Sequence, residues 1–115
     1  MNERITADSV IEWLSSQVAE KHVIGPHVWM DAAQKLTVLI GDEHDKLFDL
    51  QQQVAQMKVK LMDDGATAAK AKIYVEASDT YKQMCKQRAK IEGVEEMIRV
   101  SKIQARMKDN EQSSY

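Results

Sequence analysis

One run of residues limits what this chain can become. From Trp29 onward, Trp29, Ala33, Leu36, Ile40, Glu43, Leu47, Leu50, Val54, Met57 and Leu61 follow one another at alternating steps of four and three. That spacing lays a single stripe along one face of a long helix, the pattern of a packed helical seam. Only Glu43 breaks the apolar series, and the alternation by two that a half-buried strand needs is absent. At about 1.5 Å per residue, a helix from Pro26 to Asp63 is roughly 55–60 Å long. A helix of that length needs an equally long partner to cover its stripe.

The rest of the chain supplies one. Asp63-Asp64-Gly65-Ala66-Thr67 reads as a turn: Gly65 suits the left-handed residue that ends a helix, and Thr67 can cap the next. A third helix is expected over 67–107, with a seam of Ile73 or Tyr74, Ala77, Tyr81, Met84, Arg88, Ile91, Glu95, Ile98, Lys102 and Ala105. Reversal at Gly65 then brings Glu43 opposite Arg88. The two residues that interrupt the apolar seams are thus expected to meet as a partly buried ion pair that sets the register.

Ahead of the long helix, Thr6 can cap a short one over 6–20, with Val10, Ile11, Leu14 and Val18 along one side and Trp13 beside them. This helix is expected to close a small three-helix cluster at the open end. Gly25 and Pro26 form the following junction, with Pro26 preset for a first helical position. Gly41 costs about 1 kcal/mol inside the long helix but leaves its heptad phase unchanged. Residues 108–115 are polar and read as a frayed tail. The expected fold is all-α: a long antiparallel helical hairpin with a short N-terminal helix, in a single domain spanning 1–115.

Composition agrees with thin helical cores. Of 115 residues, 30% are charged and 5% aromatic, which argues against a sandwich or an α/β sheet. The single cysteine, Cys85, excludes an intrachain disulfide and suits a cytoplasmic setting. No signal peptide or membrane span is expected, because no long apolar run exists. The net charge of −2 hides an asymmetry, since residues 1–64 hold 6 basic and 11 acidic side chains and residues 65–108 hold 10 and 5.

Catalytic chemistry finds little support. His22 and His27 flank the Gly-Pro junction, and His44 sits beside Glu43. The Glu-x-x-His spacing of carboxylate metal bundles fails, because Lys46 stands three after Glu43. Cys85 falls within a turn of His44 across the hairpin, but nothing supplies a cleft or an oxyanion site. No glycine loop suits a phosphate. No enzyme activity, metal or cofactor is expected.

The basic residues point elsewhere. Lys58 and Lys60 precede the hairpin tip and Lys70 and Lys72 follow it, while Lys82, Lys86 and Lys90 form a row at steps of four. Such groups can contact phosphates, with Tyr74 and Tyr81 available for stacking. They can equally be a solvated face. Val28, Leu39, Phe48, Val59, Met62, Val94 and Met97 fall off the main seam, more apolar surface than two helices can bury. Homo-oligomerisation through Phe48, Val59 and Met97, or docking on another protein, is the expected outlet.

Two resemblances bear on function. Val75-Glu76-Ala77-Ser78-Asp79-Thr80-Tyr81, with Val94-Glu95-Glu96-Met97-Ile98-Arg99 and Lys102-Ile103-Gln104-Ala105-Arg106, is similar to small helical proteins of unknown function in tailed-phage genomes. The layout also resembles the recombination mediator of T-even phages, an oligomeric helical protein that helps load recombinase onto single-stranded DNA. That family carries a Leu-Lys-Ala-Arg-Leu-Asp-Tyr stretch before a glycine turn, implicated in DNA binding. Met57-Lys58-Val59-Lys60-Leu61-Met62-Asp63 matches it, with lysine in place of arginine and no tyrosine, in a chain that is slightly acidic. The resemblance implies a phage accessory protein of recombination or replication in the host cytoplasm, binding single-stranded DNA through Lys58 and Lys60. The alternative is a helical interaction module that inhibits or redirects a host or defence protein, or a small virion component.

Overall fold

The computed structural model describes residues 4–113. It contains α1 (Ala7–Ala19), α2 (Pro26–Asp63), α3 (Ala68–Glu76) and α4 (Asp79–Ser113), with no strand among the described residues. The fold is all-α, as expected, and α2 and α4 pack on each other as antiparallel arms.

Local chemistry sets most helix ends. Thr6 caps α1 through a reciprocal pair: its hydroxyl accepts from the Ser9 N–H at 3.2 Å, and the Ser9 hydroxyl accepts from the Thr6 N–H at 3.0 Å. Both α1 and α2 then close in the same way. His22 N–H donates to the Gln17 carbonyl and Lys21 N–H to that of Val18, with Lys21 at φ 59. Ala66 N–H donates to Leu61 and Gly65 N–H to Met62, with Gly65 at φ 105. Each is a Schellman closure, which needs a left-handed residue just past the helix. Gly65 takes that conformation freely; Lys21 does so against its Cβ.

The single third helix expected over 67–107 is two helices. Ser78 divides them: its hydroxyl donates to the Val75 carbonyl at 2.6 Å and accepts from the Tyr81 N–H at 3.2 Å. A serine that satisfies both helix ends competes successfully with a continuous backbone ladder, and Asp79 suits the positive first turn that follows. At the other end α4 runs on to Ser113, past the expected stop near Met107. Residues 108–113 contain neither glycine nor proline to end it. Residues 114 and 115 of the expected tail lie outside the described residues.

The expected single domain divides into two compact units: the chain up to Gly41 together with the chain from Glu92 on, and Asp42–Ile91. In the first, α1, α2 and α4 enclose two adjoining clusters. One holds Leu14, Ile24, Trp29, Ala32 and Ala105, the other Ala7, Leu36 and Val94. Val10 and Met97 pack against both. The expected three-helix cluster forms: Val10, Ile11 and Leu14 of the expected stripe are covered together with Ala7, while Trp13 and Val18 are exposed.

In the second unit, Leu47, Leu50, Val54, Met57 and Leu61 of α2 are half-buried. Ala71 and Val75 of α3 and Met84 and Ile91 of α4 are buried in the same unit. All ten expected seam positions of α2 are buried or half-buried. The partner seam differs. Tyr81, Met84, Ile91, Ile98 and Ala105 face inward as expected, whereas Ile73, Tyr74, Ala77, Arg88, Glu95 and Lys102 are exposed. Val75, Gln87, Val94 and Ser101 take inward places instead, because from Met84 on α4 is turned by roughly 50° about its axis, which keeps Met84, Ile91, Ile98 and Ala105 inward and moves Arg88, Glu95 and Lys102 out.

Candidate functional site

The most organised polar site is built around Glu43, which is 3% exposed on the inner face of α2. Gln87 on α4 donates from Nε2 to the Glu43 carboxylate at 2.7 Å and to the Glu43 carbonyl at 2.9 Å. Lys90 Nζ lies 3.4 Å and Lys46 Nζ 3.5 Å from the other carboxylate oxygen. Burial pushes the Glu43 carboxyl up, but the Gln87 hydrogen bond and the charges of Lys90 and Lys46 outweigh it and hold the group below its ordinary value. The charge is therefore carried inside the seam by one amide and two cations.

Arg88 has no part in this. It is exposed, and the expected Glu43–Arg88 pair is replaced by Gln87 and Lys90. The register of the arms is nearly as expected; the rotation of α4 about its own axis is not. A glutamine in an otherwise apolar seam was the available signal, since a buried amide next to a buried carboxylate satisfies both.

The same geometry sorts the lysines. Lys90 is drawn to Glu43, so the Lys82–Lys86–Lys90 row loses its third member. Lys72 lies 4.0 Å from Glu76. Lys58, Lys60, Lys70, Lys82 and Lys86 are exposed and make no ion pair among the described residues. Lys58 and Lys60 stand two apart on a helix and so diverge by roughly 200°; Lys70 and Lys72 do the same. The tip lysines flank the hairpin on several sides and share no single face, whereas Lys82 and Lys86 share one. Tyr74, 62% exposed, stands one turn after Lys70 on α3. Tyr81 packs near Cys85, and the Cys85 side chain, followed by Glu76, pushes its phenol up.

The apolar candidates separate just as clearly. Val28, Leu39, Val94 and Met97 all pack into the clusters of the first unit, where α1 supplies the third wall that a bare hairpin lacks. Met97 is therefore removed from the expected oligomer interface. Phe48 and Val59 remain exposed at 61% and 59%, and Met62 joins them at 44%.

Among the described residues no group of three His, Cys, Asp or Glu side chains is arranged to hold a metal. His22 is engaged with Gln17 at 2.8 Å. No helix among the described residues is long and apolar enough to cross a membrane. No family model, curated protein or solved structure matches the chain.

Proposed function

We propose that the protein is a non-enzymatic helical accessory factor that contacts single-stranded DNA, in the recombination or replication setting that the phage resemblance implies, within the host cytoplasm. The observation that carries this reading is the pairing of Lys70 with Tyr74. They lie one turn apart on α3, both exposed, and Lys70 has no carboxylate partner among the described residues. A cation for the backbone beside a ring for a base is the minimal unit of sequence-tolerant single-strand binding. Lys58, Lys60, Lys82 and Lys86 add exposed positive charge on other faces of the second unit, so contacts are electrostatic and carry little sequence preference.

Fluorescence anisotropy with a labelled single-stranded oligonucleotide, at 50 and 200 mM salt, tests it. With three phosphate contacts, affinity falls about twentyfold over that range, from a slope of about 0.7 per contact. Lys70→Ala/Tyr74→Ala weakens binding at least tenfold while Arg88→Ala has little effect. No binding at 50 mM salt, or a Lys70→Ala/Tyr74→Ala variant that binds as well as the parent, ends the reading.

The second reading is a protein-interaction module acting on a host or phage protein. It is favoured by Ile73, 65% exposed beside Tyr74, since an aliphatic side chain adds nothing to phosphate contact.

A further inference from the structure

In the second unit α2 carries two stripes. The seam side is packed. About 140° round the helix, Phe48, Gln52, Ala55, Val59 and Met62 recur at the same alternating steps of four and three. All five are exposed, and none is charged. Ala55 is the smallest, and together with Gln56, Val59, Lys60 and Asp63 it lines a shallow hollow toward the end of α2. Phe48 is the largest and projects from the other end of the stripe.

We infer that this face is where a second copy of the chain docks, antiparallel, with Phe48 of each copy seated in the hollow of the other. The stripe is self-complementary in that sense only. When two such helices are related by a twofold axis, Phe48 falls opposite Val59 of the second copy, and Gln52 opposite its Ala55, each contact made twice. Charge selects the same arrangement. Asp49 and Lys60 lie on one flank of the stripe, each roughly 100–120° from Phe48. Antiparallel pairing sets like flanks together, so Asp49 of one copy lies beside Lys60 of the other, again twice.

A parallel pair sets unlike flanks together. It would bring Lys58 against Lys60 of the second copy at both edges, stack Phe48 on Phe48 and leave both hollows unfilled. The antiparallel rim also brings Asp45 near Asp63 of the second copy, a like-charge contact that weakens the dimer. From Phe48 to Met62 the stripe is about 21 Å long. A face that short makes a small, weak interface, so association is expected at micromolar rather than nanomolar concentration.

The test is sedimentation equilibrium of the full chain without nucleic acid, so its outcome is independent of the DNA reading. The expected result is a shift from 13.1 kDa toward twice that mass between about 10 and 200 μM. Phe48→Ala weakens association at least tenfold. Asp49→Lys and Lys60→Asp each weaken it alone, and mixing the two variants restores it, because both contacts of the heterodimer then pair opposite charges. All three positions are exposed, and unchanged helicity by circular dichroism confirms intact folds. A single 13.1 kDa species up to about 200 μM overturns the proposal. So does association that ignores Phe48→Ala, or a mixture no tighter than its components.

Discussion

Gln87→Leu should destabilise the protein by about 2 kcal/mol, although it replaces a polar residue in a seam with an apolar one. Gln87 makes two hydrogen bonds to Glu43, at 2.7 and 2.9 Å. Losing the bond to the buried charge alone costs about 1.5–3 kcal/mol, and a half-buried leucine recovers about 1 kcal/mol. Glu43→Leu removes the buried charge and the Gln87 hydrogen bond to it, leaving that amide only the backbone carbonyl of residue 43. A cost of about 1–3 kcal/mol is then offset by a leucine burial of similar size, leaving a change near zero. In the double variant nothing is orphaned, because Lys90 is partly exposed and can extend into water. The double variant should equal or exceed the parent in stability, as replacing a buried ionic group with apolar residues often does. The coupling energy is then about 2 kcal/mol.

Urea unfolding of the parent, both single variants and the double variant measures it. Acid titration adds an independent check. The folded Glu43 carboxyl is held below its ordinary value, so its contribution is complete above the unfolded value of about 4.3 and is lost as pH falls through the folded one. Glu43→Leu should flatten that acid limb. Additivity within about 0.5 kcal/mol would refute the reasoning, as would an Arg88→Leu cost equal to that of Gln87→Leu.

Gly41→Ala and Gly93→Ala should each stabilise by about 1 kcal/mol, since both glycines lie inside helices and an added Cβ meets nothing within 4 Å; thermal melts check this, and a loss at either site would mean the backbone there is not regular helix. Ser101→Ala should stabilise by about 1 kcal/mol in the same assay, because the Ser101 hydroxyl is buried and has no hydrogen-bond partner among the described residues. A destabilised variant would show that the hydroxyl is satisfied after all.

The α2 seam, the caps at Thr6 and Thr67 and the left-handed turn at Gly65 were legible because they depend on spacing and on chemistry within a few residues. Nine apolar positions and one carboxylate at steps of four and three leave a helix one face to bury, whatever packs there. A glycine followed by a capping threonine marks a reversal without reference to the rest of the fold. The Ser78 break was written in the same local language, but the seam expected across it was weakly apolar, and its phase could be drawn through Arg88 as readily as through Gln87. Only packing separates those two, because neither side chain prefers a core unless a buried carboxylate is waiting for it.

Tertiary structure also decided which exposed-looking residues were covered. Val94 and Met97 are as apolar as Phe48 and Val59. The difference is that α1 lies over the first pair and nothing in the second unit lies over the second. The lysines follow the same rule: their number and spacing are sequence properties, but Lys90 is tied to Glu43 while Lys70 and Lys86 are not. Periodicity describes one helix at a time. Burial and pairing are properties of two or more, so they take their values only once the helices have met.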